Sequence, residues 1–451
     1  MGGYMKGFKK FRLSSFQIII VGFVAVIIMG AALLTLPISS VKSGSASFFD
    51  ALFTATSACC VTGLVVQDTA TYWTEFGHAV ILVLIQIGGL GVVTVTLFAS
   101  MLAGKKIGLM QRSTMQEAIA APQVGGIVKT TSFILRGTLI IELIGAVIML
   151  PAFISDFGAK GIWYAVFHSI SAFCNAGFDL MGVNENFSSM IAYYNNLLVN
   201  ITLMALIIVG GLGFFTWGDI VKHGIHFKRY RMQSKVIITI SAALIVLPFL
   251  YYFFFEFGGS QWGKLTLCDR ITVSAFQAVT PRTAGFNTVD LSQLSDAGLL
   301  IMIFLMLVGG SPGSTAGGMK TTTLAVLISS AISVFHRRES AHFFGRRISV
   351  EKVRQASAVV VLYLGLFLFS AIAISKMENV SMMSAMFEAG SAVATVGLSL
   401  GLTPTLGAAS RALLIVLMFM GRVGGLTVIF AAISSIKGNT AQLPQENISV
   451  G

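Results

Sequence analysis

Long uncharged apolar runs alternate with short apolar runs along the chain, and the alternation occurs four times. A helix crossing a hydrocarbon core of about 30 Å needs about 20 apolar residues. Runs of that size cover Phe16–Leu36, Ala79–Ala103, Ala192–Gly218, Val236–Phe255, Ala297–Met319 and Ala356–Ser375. Gly137–Ser155 and Ala412–Ile436 add two more, each with one ionisable residue, Glu142 and Arg422. The pattern predicts eight spanning helices. Between them lie Ala46–Ala58, Ile162–Phe173, Ile271–Val279 and Val380–Val393, apolar but too short to cross, each running into a Gly-containing polar stretch. These predict re-entrant helices, whose irregular backbone is tolerated at membrane depth only against protein or water. The first run follows a basic segment, as a secretory signal would. At 21 residues with no A-x-A site after it, it reads instead as a retained span.

Self-comparison shows what the alternation is. FTATSACCVTG ends at Gly63, FHSISAFCNAG at Gly177, AFQAVTPRTAG at Gly285 and FEAGSAVATVG at Gly397, at separations of 114, 108 and 112 residues. Phe53, Phe167 and Phe387 each stand ten residues before their glycine. The second spans repeat as well, with Gly pairs in Ile87–Gly91, Val209–Gly213, Val308–Gly310 and Val423–Gly425, which serve close helix packing or leave room for a long side chain. The expected organisation is a cytoplasmic arm (1–15), repeat 1 (16–112), repeat 2 (113–235), repeat 3 (236–354), repeat 4 (355–437) and a cytoplasmic tail (438–451). Each repeat reads membrane helix, pore helix and loop, membrane helix. Four such units can surround a pseudo-fourfold axis, giving an all-α integral membrane protein with a central pore.

Composition agrees. Only 11% of residues are charged, against about 25% in soluble domains, and mean hydropathy is +0.85. A soluble enzyme, a disordered chain and a nucleic-acid binder are excluded, despite the net charge of +12. The four cysteines have neither disulfide-framework nor zinc spacing. Of the 30 Lys and Arg, 21 fall in the termini and the loops near 104–136, 222–235 and 336–354, and 7 on the opposite side. By the positive-inside rule both termini are cytoplasmic. The outer side holds 12 of the 18 acidic residues, which would concentrate cations there. The Phe-rich stretch 253–257 reads as a lipid-facing or interfacial belt, and His78 and His168 as polar residues near pore helices.

On the axis, extended segments can present a ring of carbonyls that replaces an ion's hydration shell. The candidate carbonyls are those of Val61, Thr62 and Gly63, of Asn175, Ala176 and Gly177, of Thr283, Ala284 and Gly285, and of Thr395, Val396 and Gly397. Glycine accepts the dihedrals that aim successive carbonyls at one line.

Two features break the repeat. Ala297 to Phe335 is 39 residues, against 25 in Ala79–Ala103. Aligning the Gly pairs puts the excess just after Gly310. Gly309, Gly310, Ser311, Pro312, Gly313, Ser314, Thr315, Ala316, Gly317 and Gly318 must then form an intramembrane loop between two half-helices. The second feature is Arg422, 11 residues from Arg411 and 15 from Lys437 and so near mid-membrane. A charge there costs at least ~2.5–3.5 kcal/mol, so it faces a pore or pairs, with Glu142 or loop carbonyls as partners. Lys320 either faces the same cavity or snorkels.

These residues, with GGSPGSTAGGMKTTT from Gly309 and GRVGG from Gly421, resemble the Trk/Ktr/HKT superfamily of potassium transporters over Phe16 to Ile436, and most closely its Ktr membrane subunits of the KtrB type. The resemblance implies potassium uptake through a channel-like pore, with K+ as the transported ion, no covalent cofactor and Na+ as an activator that no residue here itself requires. It further implies that 309–318 is a gate with Arg422 as a positive constriction. A homodimer in the bacterial cell membrane and a cytosolic nucleotide-binding ring of the KtrA type on the basic inner loops are also implied. One departure is notable: each loop has a single glycine followed by Leu or Phe, so the filter is expected to be short and less exclusive for potassium over sodium. No catalytic pattern points to an enzyme. The competing function is an alternating-access secondary cation transporter with its site at broken helices.

Overall fold

The computed structural model describes residues 14–41, 46–102, 108–119, 126–183, 185–425 and 427–429. The basic arm up to residue 13, the tail at 438–451 and the 430–436 end of the last expected span lie outside these residues. Repeat 1 contains α1 (Ser15–Leu34), α2 (Phe48–Cys59), the single turn α3 (Thr69–Tyr72), α4 (Glu75–Leu90) and α5 (Val92–Leu102). Repeat 2 contains α6 (Leu109–Ala118), α7 (Ile127–Phe157), α8 (Lys160–Phe173), α9 (Leu197–Gly211) and α10 (Phe214–His223). Repeat 3 contains α11 (Met232–Tyr251), α12 (Leu267–Val279), α13 (Asp296–Leu307) and α14 (Thr321–Phe335), followed by an antiparallel hairpin of β1 (His342–Phe343) and β2 (Arg346–Arg347) that pairs His342 with Arg347. Repeat 4 contains α15 (Val350–Glu378), α16 (Met382–Ala394) and α17 (Ala408–Val423).

One long helix in each repeat, α1, α7, α11 and α15, runs without a break. Among the described residues, α1, α7, α11 with its π-helical continuation to Glu256, and α15 are long and apolar enough to cross a membrane, and the bent pair α9–α10 makes a fifth. These helices turn large side chains outward, with Leu143 at 65%, Leu247 at 67% and Phe369 at 67% exposed. Apolar surface on this scale is favourable against lipid and costly against water. The Phe-rich stretch divides: Phe254 and Phe255 are exposed, whereas Phe257 is buried against Tyr252 and Trp262. The four short apolar runs form α2, α8, α12 and α16, whose Phe53, Phe167, Phe276 and Phe387 are fully buried.

The second helices depart from the expectation of continuous spans. α4 yields to α5 at Gly91, α9 to α10 through a bend of 101°, and α17 stops at Gly424. Gly91, Gly213 and Gly424 have φ of 87°, 88° and 91°, a region that an L side chain adopts only at a cost. No proline marks these breaks, and a charge stands near only the last, Arg422 two residues before Gly424, so run length alone passes over them. Three residues earlier, Gly88, Gly210 and Gly421 pack against the end of their own re-entrant helix. A Cβ there would lie 2.0 Å from Cys59 O, 2.0 Å from Phe173 O and 2.3 Å from Val393 O. The structural register therefore matches Gly421–Gly424 to Gly88–Gly91 and Gly210–Gly213. Matching Val423–Gly425 to the other Gly pairs is off by three residues. An ion pair of 3.0 Å between Asp50 on α2 and Arg411 on α17 joins the first repeat to the last.

Candidate functional site

Each re-entrant helix ends in the same tight return. Val61, Asn175, Thr283 and Thr395 have φ of 57°, 59°, 62° and 54°, and the glycine two residues later has 91°, 68°, 82° and 95°. A left-handed non-glycine residue costs about 1–3 kcal/mol, and β-branched Val and Thr are the least suited to it. Hydrogen bonds from the intervening residue hold the strain. Thr62 N–H donates to Ser57 O, Ala176 N–H to Ser171 O and Val396 N–H to Ser391 O, each at 2.8 Å, and Ala284 N–H donates to Thr280 O at 2.9 Å. The hydroxyls of the same residues add a second tie. Ser57 and Ser391 accept from Gly63 N–H at 3.1 Å and Gly397 N–H at 3.0 Å. Ser171 donates to Phe178 O at 2.6 Å, and Thr280 donates to Phe286 O. Sequence reasoning missed these hydroxyls, although a serine six residues before the glycine is visible in repeats 1, 2 and 4.

The four returns meet. A Cβ on Gly63 would fall 2.5 Å from Ala176 O, on Gly177 2.8 Å from Ala284 O, on Gly285 2.6 Å from Val396 O, and on Gly397 2.1 Å from Thr62 O. The contacts run from repeat 1 to 2, 3, 4 and back to 1, so Val61–Gly63, Asn175–Gly177, Thr283–Gly285 and Thr395–Gly397 come together at one place. The C-termini of α2, α8, α12 and α16 lie immediately before them, each carrying about half a negative charge. Carbonyl oxygens and helix ends together favour a cation here without any carboxylate at the ring. At one end of the ring is a cavity of about 430 Å³ lined by the four glycines together with Asp68, Asp179 and Asp290.

At the other end the repeats differ. α13 stops at Leu307, three residues before the expected break, and residues 308–320 form an irregular loop before α14. The loop bonds to carbonyls that other helices free where they break: Ser311 N–H donates to Gly211 O at 3.0 Å, Thr315 N–H to Gly210 O at 3.3 Å and Gly318 N–H to Gly421 O at 3.3 Å. The Thr315 hydroxyl lies 2.8 Å from Asn175 Oδ1, and a Cβ on Gly317 would lie 2.0 Å from Thr395 Oγ1. The loop therefore touches the ring segments of repeats 2 and 4.

Arg422 crosses from repeat 4 to the break in repeat 1. Its guanidinium donates to Gly88 O at 2.5 Å, to Gly89 O at 3.0 Å and to Thr315 O of the loop. Its partners are carbonyls rather than Glu142, whose carboxylate accepts from Gln86 Nε2 at 3.3 Å. Lys320 faces the same cavity, of about 280 Å³, and donates to Ala316 O at 2.7 Å and Gly317 O at 3.2 Å. Arg282, counted with the outer cations by charge, is instead buried behind Thr283, with Nη2 3.0 Å from Ser241 Oγ. His78 bonds Thr69 O at 2.7 Å and takes no part in the ring.

Lipid-facing helices around a converging set of re-entrant segments define a multi-pass membrane transport protein. The chain belongs to the TrkH family of cation transport proteins, whose model matches residues 9–441. It is 40% identical to the potassium/sodium uptake protein NtpJ of Enterococcus hirae, over 99% of both chains. It is 38% identical to the Ktr system potassium uptake protein B of Bacillus subtilis, over 96% of both. The crystal structure of the potassium transporter TrkH from Vibrio parahaemolyticus shares the fold, with a TM-score of 0.73 at 19% identity, covering 94% of this chain and 86% of that one.

Proposed function

We propose that this chain is the translocation subunit of a potassium uptake system, and that K+ passes dehydrated through the ring formed by Val61–Gly63, Asn175–Gly177, Thr283–Gly285 and Thr395–Gly397. The observation that carries the reading is the cyclic contact of the four glycines, each against the carbonyl preceding the next repeat's glycine. A ring of carbonyls can stand in for a hydration shell. In this reading the second helices also cross the membrane despite their breaks, which gives eight spans around a pseudo-fourfold axis with both termini in the cytoplasm. The loop Gly309–Gly318 is the gate, and Arg422, bonded to it, adds a positive barrier in a low-dielectric path. A second copy of the chain and a cytosolic nucleotide-binding ring on the basic inner loops complete the assembly in this reading; the Bacillus relative is named as protein B of a Ktr system, which fits a membrane subunit with partners. The Enterococcus relative is named for both potassium and sodium, which suits a ring with one glycine per segment and a modest preference between the two.

The test is rescue of a potassium-uptake-deficient bacterium at low external potassium, with and without a co-expressed cytosolic subunit. Replacing Gly63, Gly177, Gly285 or Gly397 by Ser should weaken potassium affinity or the discrimination against sodium. Four well-expressed Ser variants with unchanged affinity and preference would overturn the reading. The glycine breaks at Gly91, Gly213 and Gly424 favour a second reading, alternating access at broken helices. Flux far above carrier turnover would eliminate it.

A further inference from the structure

One position of the re-entrant helices does something that the ring itself does not require. The residue following the buried phenylalanine is Thr54, His168, Gln277 or Glu388, and all four are buried. In three repeats this side chain reaches to the segment that leaves the ring. His168 Nε2 accepts from Leu180 N–H at 3.1 Å, while Nδ1 lies 2.7 Å from Tyr164 O. Both bonds are satisfied only by the neutral imidazole with its proton on Nδ1. Gln277 Nε2 donates to Thr288 Oγ1 at 3.4 Å. Glu388 accepts from the Thr403 hydroxyl at 2.7 Å and from the Ser399 hydroxyl. The partners sit at matching places, since Leu180 and Thr288 are three residues beyond their glycine and Ser399 is two beyond. Repeat 1 differs, for Thr54 Oγ1 has no hydrogen-bond partner.

Three chemically different side chains thus make one connection. A packing role would be filled by any apolar residue of similar volume and would not select an imidazole, an amide and a carboxylate that each bond the same segment. The hydroxyls of Ser171, Thr280 and Ser391 already tie the start of that segment, so this second tie fixes it a few residues further on. A carbonyl ring discriminates between cations by its width and by how firmly its oxygens are held, whichever dominates. Supports that hold such a site to within about half an ångström therefore act on preference.

We propose that His168, Gln277 and Glu388 are positioning residues for ion discrimination, bracing three quarters of the ring and leaving repeat 1 as its compliant quarter. The proposal rests on the ring being the filter. The test is concentration-dependent K+ and Na+ flux into liposomes containing the purified full chain. His168→Leu, Gln277→Leu and Glu388→Leu remove the tie and keep the bulk. Each should raise KM for K+ by at least about fivefold, the size of one lost hydrogen bond, with Glu388→Leu, which loses two, above the others, and lower the K+ over Na+ preference, with maximal flux held within about twofold. His168→Gln and Glu388→Gln, which keep an acceptor, should retain the wild-type KM and preference, and Thr54→Val should change neither. Gly177→Ser is measured in parallel. If it shifts preference while folded Leu variants do not, the brace is refuted and the filter stands; if Gly177→Ser is also silent, the filter reading fails first. Should the Leu variants not fold, His168→Asn, too short to reach Leu180, replaces them, and wild-type behaviour in that variant overturns the proposal.

Discussion

At the ring the four repeats are interchangeable, whereas one step away, at the breaks of the second helices, they are not. Gly63, Gly177, Gly285 and Gly397 all have φ between 68° and 95° and make the same contact with the next repeat. At the breaks, Gly89 and Gly211 occupy the position that is Arg422 in repeat 4, and repeat 3 inserts residues 308–320. The difference follows from what each level presents. The ring is made of backbone, so four unlike sequences, Val-Thr, Asn-Ala, Thr-Ala and Thr-Val before the glycine, build one geometry. The level beyond it is made of side chains and a single loop, and there is room for only one of each. In repeat 2 the small residues make room for the loop, since a Cβ on Gly210 or Gly213 would meet Thr315 Oγ1 or Pro312 O, and in repeat 1 the carbonyls of Gly88 and Gly89 receive the guanidinium.

The sharpest way to break this comparison is to place the same substitution at both levels. Gly397→Ala puts a Cβ 2.1 Å from Thr62 O at a φ of 95°, and potassium affinity should fall at least about tenfold, from clash and strain together. Gly91→Ala carries a similar φ of 87°, but its nearest neighbour is Thr94 Oγ1 at 3.7 Å. It should cost about 1–2 kcal/mol of stability, seen as a lower Tm, with preference intact. Equal effects on preference at both sites would erase the distinction.

Arg422→Ala should raise flux measured without a cytosolic partner by at least about tenfold, since losing even one of the charge-assisted hydrogen bonds to Gly88, Gly89 and Thr315, at about 1.5 kcal/mol, is worth that factor. Deleting residues within Ser311–Gly317 should act in the same direction, and the double variant should not exceed the larger single effect, because the two share one contact. Unchanged or lower flux in a folded loop deletion would leave the loop as packing. Asp50→Asn, which weakens a partly exposed ion pair with Arg411, should lower stability by only about 0.2–1 kcal/mol in thermal unfolding.

The smallest effect lies in the cavity lined by the four glycines and Asp290. Burial acts to raise the Asp290 carboxyl, but hydrogen bonds from Ser292 and Gln293 outweigh it and hold the group below its ordinary range. A depressed folded value means the stabilisation is full well above the unfolded pKa of about 3.9 and is lost as pH falls through the folded value. The Tm gap between wild type and Asp290→Asn should therefore be small at neutral pH and should close below about pH 4.

The short helices and the four glycine returns were legible in the sequence because apolar run length and a recurring motif record them directly. Val61, Thr283 and Thr395 were legible as members of the motif but not as left-handed residues, since nothing in a β-branched side chain announces that conformation; only Asn175 is of a type that adopts it readily. The breaks at Gly91 and Gly213 were hidden inside uncharged apolar runs, and that at Gly424 in a run whose one charge, Arg422, gives no sign of a break. Loop carbonyls were among the partners expected for Arg422, and Thr315 O is one; Gly88 O and Gly89 O were hidden, because carbonyls inside an apolar run become free only where a helix ends. Arg282 was misplaced because a charge count assigns sides of a membrane and knows nothing of depth.

The contact between Asp50 and Arg411 joins residues 361 positions apart. A chain made from its N-terminus holds the first re-entrant segment against an empty flank until the fourth repeat has been synthesised and inserted. Loop closure over that distance comes late, after the more local helix pairs have formed. The seam between Gly397 and Thr62 is thus the last part of the ring to exist. Arrested or truncated products hold three quarters of a ring and an open side, so the ring closes only once the fourth repeat is in place.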